Sequence, residues 1–324
     1  MPNYLITGGC GFIGTSLISH LKKNKNNKIR VIDNLDVGKK SDLSKVLDYD
    51  VVSKENINFN SKRHQLIIGD IKSKKLCEIV TKNANIVIHL AANTKITVSL
   101  VDPIYDCKNN ILGTLNILEG CRKNKVKRFI FASSAAVGGE LKPPISENII
   151  PKPISPYGAS KLAGEGYCST YWHTFGIETV ILRFGNVYGP GSKNKTSVVA
   201  KFINHALAGK SIEIYGSGKQ TRDYVYIDDL VKAIIQGYKI KDIGGEVFQI
   251  ATSKETSVLE IVEELSEIFK LYKLPDLKVV NTKKIKGEMM RNFSNTKKAR
   301  NILKWNSTIN LKKGLKKTIE SFIK

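Results

Sequence analysis

Tyr4-Leu5-Ile6-Thr7 runs straight into Gly8-Gly9-Cys10-Gly11-Phe12-Ile13-Gly14, and Leu17, Ile18 and Leu21 follow at helical spacing. This order predicts a short buried strand, a tight glycine-rich turn and an amphipathic helix. In that context each glycine has a physical reason. Gly9 allows the tight turn, Gly11 lets the backbone approach a pyrophosphate, and Gly14 lets helix and strand pack closely. The helix N-terminus offers unpaired N–H groups and a positive dipole end to phosphate oxygens. A second strand, Ile29-Arg30-Val31-Ile32, ends in Asp33. An acid there accepts hydrogen bonds from an adenosine ribose and repels a 2′-phosphate, so NAD is expected rather than NADP.

Working outward, short apolar runs recur at Gln65-Leu66-Ile67-Ile68, Ile86-Val87-Ile88 and Phe129-Ile130-Phe131-Ala132. They end in Gly69-Asp70-Ile71, in His89-Leu90-Ala91-Ala92-Asn93-Thr94 and in Ser133-Ser134. Parallel α/β sheets bind ligands at the carboxyl ends of their strands, so all these residues gather at one edge. Asp70 either meets the adenine there or caps the next helix. His89 sits in an apolar strand end and reads as a packing histidine rather than a catalytic one. Ala91 and Ala92 permit close approach of a dinucleotide. A helix from about Pro103 carries Asn109 among apolar neighbours, either facing the cofactor or making structural hydrogen bonds. The polar segment 36–62 reads as a surface helix and loop.

Further on stands Ser155-Pro156-Tyr157-Gly158-Ala159-Ser160-Lys161. On a helix, Tyr157 and Lys161 lie one turn apart on one face. A phenol with a pKa of about 10 is a poor base at neutral pH. An ammonium one turn away is expected to lower that value, as a tyrosine general base requires. Ser134, across the pocket, would hydrogen-bond the oxygen whose proton Tyr157 removes.

The chain has 324 residues, 41% hydrophobic and 25% charged, enough for one large or two moderate domains. No run of eighteen apolar residues exists, so no membrane contact is expected. The N-terminus enters a strand pattern directly, and no secretory leader is expected. Five scattered cysteines (Cys10, Cys77, Cys107, Cys121 and Cys168) read as free thiols in a reducing cytoplasm. The net charge of +23 raises a nucleic-acid hypothesis. Its lysines, however, are spread along the chain, and Lys283-Lys284-Ile285-Lys286 and Lys312-Lys313 read as solvated faces. No nucleic-acid partner is expected, although a basic surface steers anionic small molecules.

Taken in order, these motifs resemble the NAD-dependent nucleotide-sugar epimerase/dehydratase family of extended short-chain dehydrogenases/reductases. Arg183-Phe184-Gly185-Asn186-Val187-Tyr188-Gly189-Pro190 and Arg222-Asp223-Tyr224-Val225-Tyr226-Ile227-Asp228-Asp229 extend the resemblance almost end to end. It implies an α/β fold: a Rossmann-type doubly wound parallel sheet with a smaller mixed C-terminal substrate lobe. The NAD-binding domain would comprise 1–185 and 225–254, and the nucleotide-sugar lobe 186–224 and 255–324. An amphipathic helix with Val258, Ile261, Val262, Leu265, Ile268 and Phe269 belongs to that lobe.

By the same resemblance, Ser134, Tyr157 and Lys161 take the catalytic positions. NAD would be held by Gly8, Gly11, Phe12, Ile13, Gly14, Asp33 and Asn34. Asp70, Ile71, Leu90, Ala91, Ala92 and Asn109 would complete its site, with Tyr157 and Lys161. The nucleotide sugar would meet Thr94, Ser134, Asn186, Tyr215, Arg222 and Glu288. No metal is implied, and a homodimer through the helices around 103–123 and 157–174 is.

Two departures stand out. Val137-Gly138-Gly139 lacks the tyrosine usual after the serine motif, and Lys284, Ile285 and Lys286 stand where an arginine is usual before Gly287. The resemblance also narrows the reaction. Sugar 4,6-dehydratases carry Asp-Glu directly after the catalytic hydroxyl residue, uronate decarboxylases a Glu in the second place, and epimerase-reductases a Cys in the first. Here both are alanine, Ala135 and Ala136. The expected reaction is therefore C4 epimerisation of a UDP-sugar through a transient 4-keto sugar, on UDP-glucose/UDP-galactose or their N-acetyl counterparts. UDP-glucuronate 4-epimerisation, 4,6-dehydration and a non-catalytic NAD-binding regulator are the alternatives.

Overall fold

The computed structural model describes residues 2–58, 63–283 and 290–324. Glu288 and the Lys284–Gly287 segment lie outside the described residues. The chain forms two compact units: Met1–Gly139, Ile149–Arg183 and Ala233–Phe248, and then Glu140–Asn148, Phe184–Lys232 and Gln249–Lys324. Among the described residues no helix is long and apolar enough to cross a membrane.

The first unit is built on a Rossmann-type sheet of eight strands. In chain order seven are β1 (Asn3–Thr7), β2 (Lys28–Asp33), β3 (Tyr49–Val51), β4 (His64–Ile68), β5 (Ile86–His89), β6 (Arg128–Ser134) and β7 (Glu178–Phe184). Across the sheet the order is Val247–Ile250, β7, β6, β5, β1, β2, β4, β3. From β6 to β3 every neighbouring pair is parallel. The chain leaves β1 toward β2 on one side and later returns to β5 on the other, so the strand order reverses at β1. The crevice at such a reversal is where this architecture binds ligands. Its strands are apolar on both faces because helices cover both. Leu5, Ile6, Val31, Val87, Ile88 and Phe129 are all fully buried, each contributing roughly 1.5–3 kcal/mol.

Two elements differ from the sequence reading. The segment 36–62 contains not only a short helix, Lys40–Ser44, but also the edge strand β3. Three residues are too few for a strand period to show. The helix expected from Pro103 is broken: Pro103–Cys107 passes into a π-helical turn, Lys108–Leu112, before Gly113–Lys123. Asn109 donates its side-chain N–H to the Tyr105 carbonyl at 2.7 Å, competing with the helix ladder at that turn.

In the second unit Val258–Leu271 forms the expected amphipathic helix, opened by a capping box between Ser257 and Glu260. Asn186–Tyr188 pairs in parallel with Tyr224–Tyr226, and Ile212–Tyr215 with Val279–Thr282.

Candidate active site

The glycine-rich turn leaves β1 through Gly8, whose φ of +69° is the left-handed region that glycine alone adopts freely. A Cβ at Gly8 would stand 2.8 Å from the Ala91 nitrogen. The turn therefore lies directly against the loop after β5. Gly14 is as tight: a Cβ there would meet Gly8 O and Gly9 Cα at 2.6 Å. Gly11 is the exception. A Cβ on it would meet only Gly8 O, at 3.3 Å, and otherwise open space. It caps the helix Phe12–Leu21 without a side-chain hydrogen bond, so the positive end of the helix forms a cradle suited to an anion.

Asp33 closes one side of this cradle. Its two oxygens accept from the Cys10 and Leu35 N–H groups, each at 2.9 Å. Burial raises the carboxyl above the usual range and these two bonds oppose that rise. Asn34 donates to Asp70 at 3.1 Å, and Asp70 also accepts the Lys72 N–H at 2.8 Å. The cap of the next helix, Lys74–Val80, is Ser73 rather than Asp70. Ile71 is buried, and Leu90, Ala91 and Ala92 are half-buried beside the cradle.

His89 is the packing residue that its apolar surroundings indicated. It is fully buried, with Nδ1 2.8 Å from Thr7 Oγ1 and Nε2 3.0 Å from Thr114 Oγ1. The Thr114 hydroxyl donates to the Asn110 carbonyl. It therefore accepts from Nε2–H, and Nδ1 accepts from Thr7. Burial, aided by the Lys161 charge, pushes the imidazole down to about 3. Between pH 6.5 and that value the unfolded chain takes up a proton that the folded one refuses. His89 thus costs stability as pH falls through this window, by about 1.4 kcal/mol per pH unit at most. The stability advantage of wild type over His89→Asn is expected to shrink from pH 7 to pH 4, read from urea midpoints.

Ser155 caps the helix Pro156–Phe175 by accepting the Gly158 N–H at 3.1 Å, with Pro156 in the first turn. Gly158 lets this helix lie against the turn after β6, since a Cβ would come within 2.6 Å of the Ala136 carbonyl. Tyr157 is thereby brought near enough to Ser134 for that hydroxyl to pull on the phenol's acidity, and Ser134 Oγ accepts the Ala136 N–H at 3.1 Å. Lys161, one turn on, donates to the Ala132 carbonyl at 2.9 Å and lies 5.0 Å from the centre of the Phe131 ring. Ser134, Tyr157 and Lys161 thus meet at the carboxyl end of β6.

Their electrostatics correct the sequence expectation. Burial pushes the Tyr157 phenol up to about 12, with the Ser134 hydrogen bond pulling down and Asp106 pushing further up. Burial pushes the Lys161 ammonium down to about 8, opposed by Asp106, Cys168 and Glu165. Desolvation of a buried phenolate is the largest influence on Tyr157 and outweighs what the spacing of Lys161 led one to expect.

Sequence reasoning missed the layer beneath. Asn110, not Asn109, ties this region together: it donates to Asp106 at 3.0 Å and to Ser160 at 3.1 Å, and accepts the Asn93 N–H at 2.8 Å. Asp106 is buried, and its Oδ2 has no hydrogen-bond partner among the described residues. The only hint was a pair of asparagines inside an apolar helical stripe. Thr94, on the loop after β5, is exposed.

In the second unit, Asn186 is exposed at the start of its strand and opposite Tyr224. Tyr215 ends Ile212–Tyr215, with Lys201 5.7 Å from the centre of its ring. Arg222 is half-buried and donates to the Thr221 carbonyl at 2.7 Å. Asp223 beside it accepts from Thr252, Ser253 and Ser294, fixing the strand from which Arg222 projects.

Comparison with known proteins gives three kinds of match. The model of the family described as NAD dependent epimerase/dehydratase matches residues 4–251. A Methanocaldococcus jannaschii protein, provisionally named a UDP-glucose 4-epimerase, is 38% identical over 97% of this chain and 96% of its own length. The Thermotoga maritima UDP-glucose 4-epimerase, solved with UDP-glucose, superposes with a TM-score of 0.88 at 33% identity, over 99% of this chain and 98% of its own. The Bacillus cereus UDP-glucuronic acid 4-epimerase, solved with UDP-glucuronic acid and NAD, gives 0.87 at 30% identity over 99% of each chain.

Proposed function

The chain belongs to the NAD-dependent epimerase/dehydratase family, and from that premise we propose that it epimerises a UDP-sugar at C4 through a transient 4-keto sugar. UDP-glucose and UDP-galactose, or their N-acetyl counterparts, are the proposed substrates. The observation that carries this reading is Ser134 beside Tyr157 at the carboxyl end of β6, followed by two methyl side chains, Ala135 and Ala136, in the turn Ala135–Val137. Dehydration or decarboxylation needs an added acid or base beside the hydroxyl pair. Epimerisation needs none.

The open face of Gly11, the helix N-terminus behind it with no side-chain cap and Asp33 at the end of β2 suit a dinucleotide pyrophosphate and ribose. Bound NAD would supply the hydride acceptor and donor for C4. In the ionised form, which the positive ring of a bound nicotinamide would favour against the burial that raises the phenol, Tyr157 takes the 4-hydroxyl proton and returns it once the sugar presents its other face. Ser134 bonds the same oxygen and stabilises the phenolate. Lys161 supplies positive charge one turn away and a donor for the nicotinamide ribose. Asn186, Tyr215 and Arg222 are assigned to the nucleotide sugar, with Arg222 on its phosphates.

The test is incubation with UDP-glucose, UDP-N-acetylglucosamine and UDP-glucuronate, with products read by NMR. The expected result is UDP-galactose, or the N-acetyl epimer, with no net consumption of NAD. Absence of any C4 epimer from all three refutes the proposal. UDP-glucuronate belongs in the set because a neighbour of TM-score 0.87 and 30% identity was solved with it.

A homodimer in the cytoplasm is part of the proposal. Five cysteines without disulfides support the compartment. The helices Ile96–Val101 and Pro103–Cys107 and the π turn expose Leu100 (59%), Val101 (87%), Ile104 (64%) and Leu112 (49%), an apolar face suited to a second copy. Val101→Glu is expected to shift the protein toward monomer in sedimentation while its melting curve stays cooperative.

A further inference from the structure

Behind the Ser134–Tyr157 contact lies a buried ionic array that the proposed chemistry does not use. Glu165 follows Lys161 by one turn on the same helix. Its Oε1 accepts the Ser133 hydroxyl at 2.5 Å and Arg183 Nε at 2.9 Å, and its Oε2 accepts Arg183 Nη2 at 2.7 Å. All three residues are at most 5% exposed, and Arg183 Nη1 has no hydrogen-bond partner among the described residues. The array joins β6, the helix and β7. It forms because the helix comes very close to β6 at Gly164, where a Cβ would stand 2.4 Å from the Phe131 ring.

Stability does not explain this arrangement. Desolvating a buried pair offsets most of its attraction, and an apolar pair of similar volume holds a fold as well or better. What the ions add is direction. A guanidinium fork accepts a carboxylate in one orientation, and that carboxylate pins the Ser133 hydroxyl. Ser133 and Ser134 are consecutive strand residues and point to opposite faces, so Ser133 does not enter the reaction. It anchors the peptide from which Ser134 projects. The Ala136 N–H holds Ser134 Oγ from the other side.

We infer that Ser133, Glu165 and Arg183 are positioning residues that fix the Ser134 hydroxyl against Tyr157. The inference rests on Ser134 and Tyr157 carrying the chemistry. Ser133→Ala tests it, because it removes the anchor and leaves the ion pair intact. A misplaced catalytic hydroxyl is expected to lower kcat roughly tenfold, with KM within about twofold. NAD content and melting midpoint should match wild type. Glu165→Met combined with Arg183→Leu, which leaves no unpaired buried charge, should fold and lose kcat in the same way. If kcat in Ser133→Ala stays within about twofold of wild type, or falls only together with NAD content, the inference is overturned. Ser134→Ala is measured in parallel. Should it keep wild-type kcat, the site reading itself fails and takes this inference with it.

Discussion

Tyr157→Phe is expected to lower kcat by roughly 10³-fold, within the range for losing a positioned general base, while the chain stays folded and retains NAD. The substitution deletes one oxygen from a side chain that is 9% exposed. The backbone bonds of Tyr157, its N–H to Ser99 and its carbonyl to the Ser160 hydroxyl, do not involve the phenol. The fold therefore loses only the contact with Ser134. The reaction loses the oxygen proposed as its base, and His89 is no substitute because both of its ring nitrogens are engaged by threonines. Product formation by NMR and the thermal midpoint are the two measurements. A variant within about tenfold of wild type would remove Tyr157 from the role of base.

Gly8→Val is expected to cost about 3 kcal/mol of stability and to leave the protein without NAD. Valine at φ +69° is strained before any contact is counted. Its Cβ would also stand 2.8 Å from Ala91 N, 2.9 Å from Ala91 Cα and 3.0 Å from the Leu90 carbonyl carbon. These are backbone atoms and cannot swing aside. Leu90 N and Ala91 N are both bonded to Thr7, at 3.1 Å each, so relief requires opening the crevice between β1 and β5. Gly11→Ala is the control that separates folding from binding. Gly11 has φ −77°, ordinary for alanine, and its Cβ would face open space. That variant should melt like wild type and hold NAD more weakly, read from the dinucleotide released on acid denaturation. If it retains NAD as well as wild type does, the glycine-rich turn is not the pyrophosphate site.

The glycine-rich turn, the acid ending β2 and the Tyr157–Lys161 helix turn were legible before any coordinates, because their signals are local. A glycine at a turn, an acid at a strand end and a tyrosine one turn before a lysine each express a constraint acting within a few residues. His89 was legible for the same reason: apolar neighbours on both sides of a strand end leave an imidazole little to do but pack. The parallel sheet followed from repetition of one pattern, an apolar run ending in a small or polar residue.

The protonation states and the supporting network came only from tertiary structure. The pull of Lys161 on Tyr157 looked sufficient from spacing, yet the burial that pushes the phenol up to about 12 is created by chain packed around it from elsewhere. Asn110, Asp106 and Ser160 meet across 50 residues of sequence, and the Ser133–Glu165–Arg183 array joins three separate elements. A short edge strand such as β3 is decided by its partner β4 and not by its own three residues. The residues proposed for the site were thus written in short-range patterns, where one residue type satisfies one backbone or charge requirement. Its tuning was set by desolvation and by hydrogen bonds between distant residues, which exist only once the chain has closed on itself.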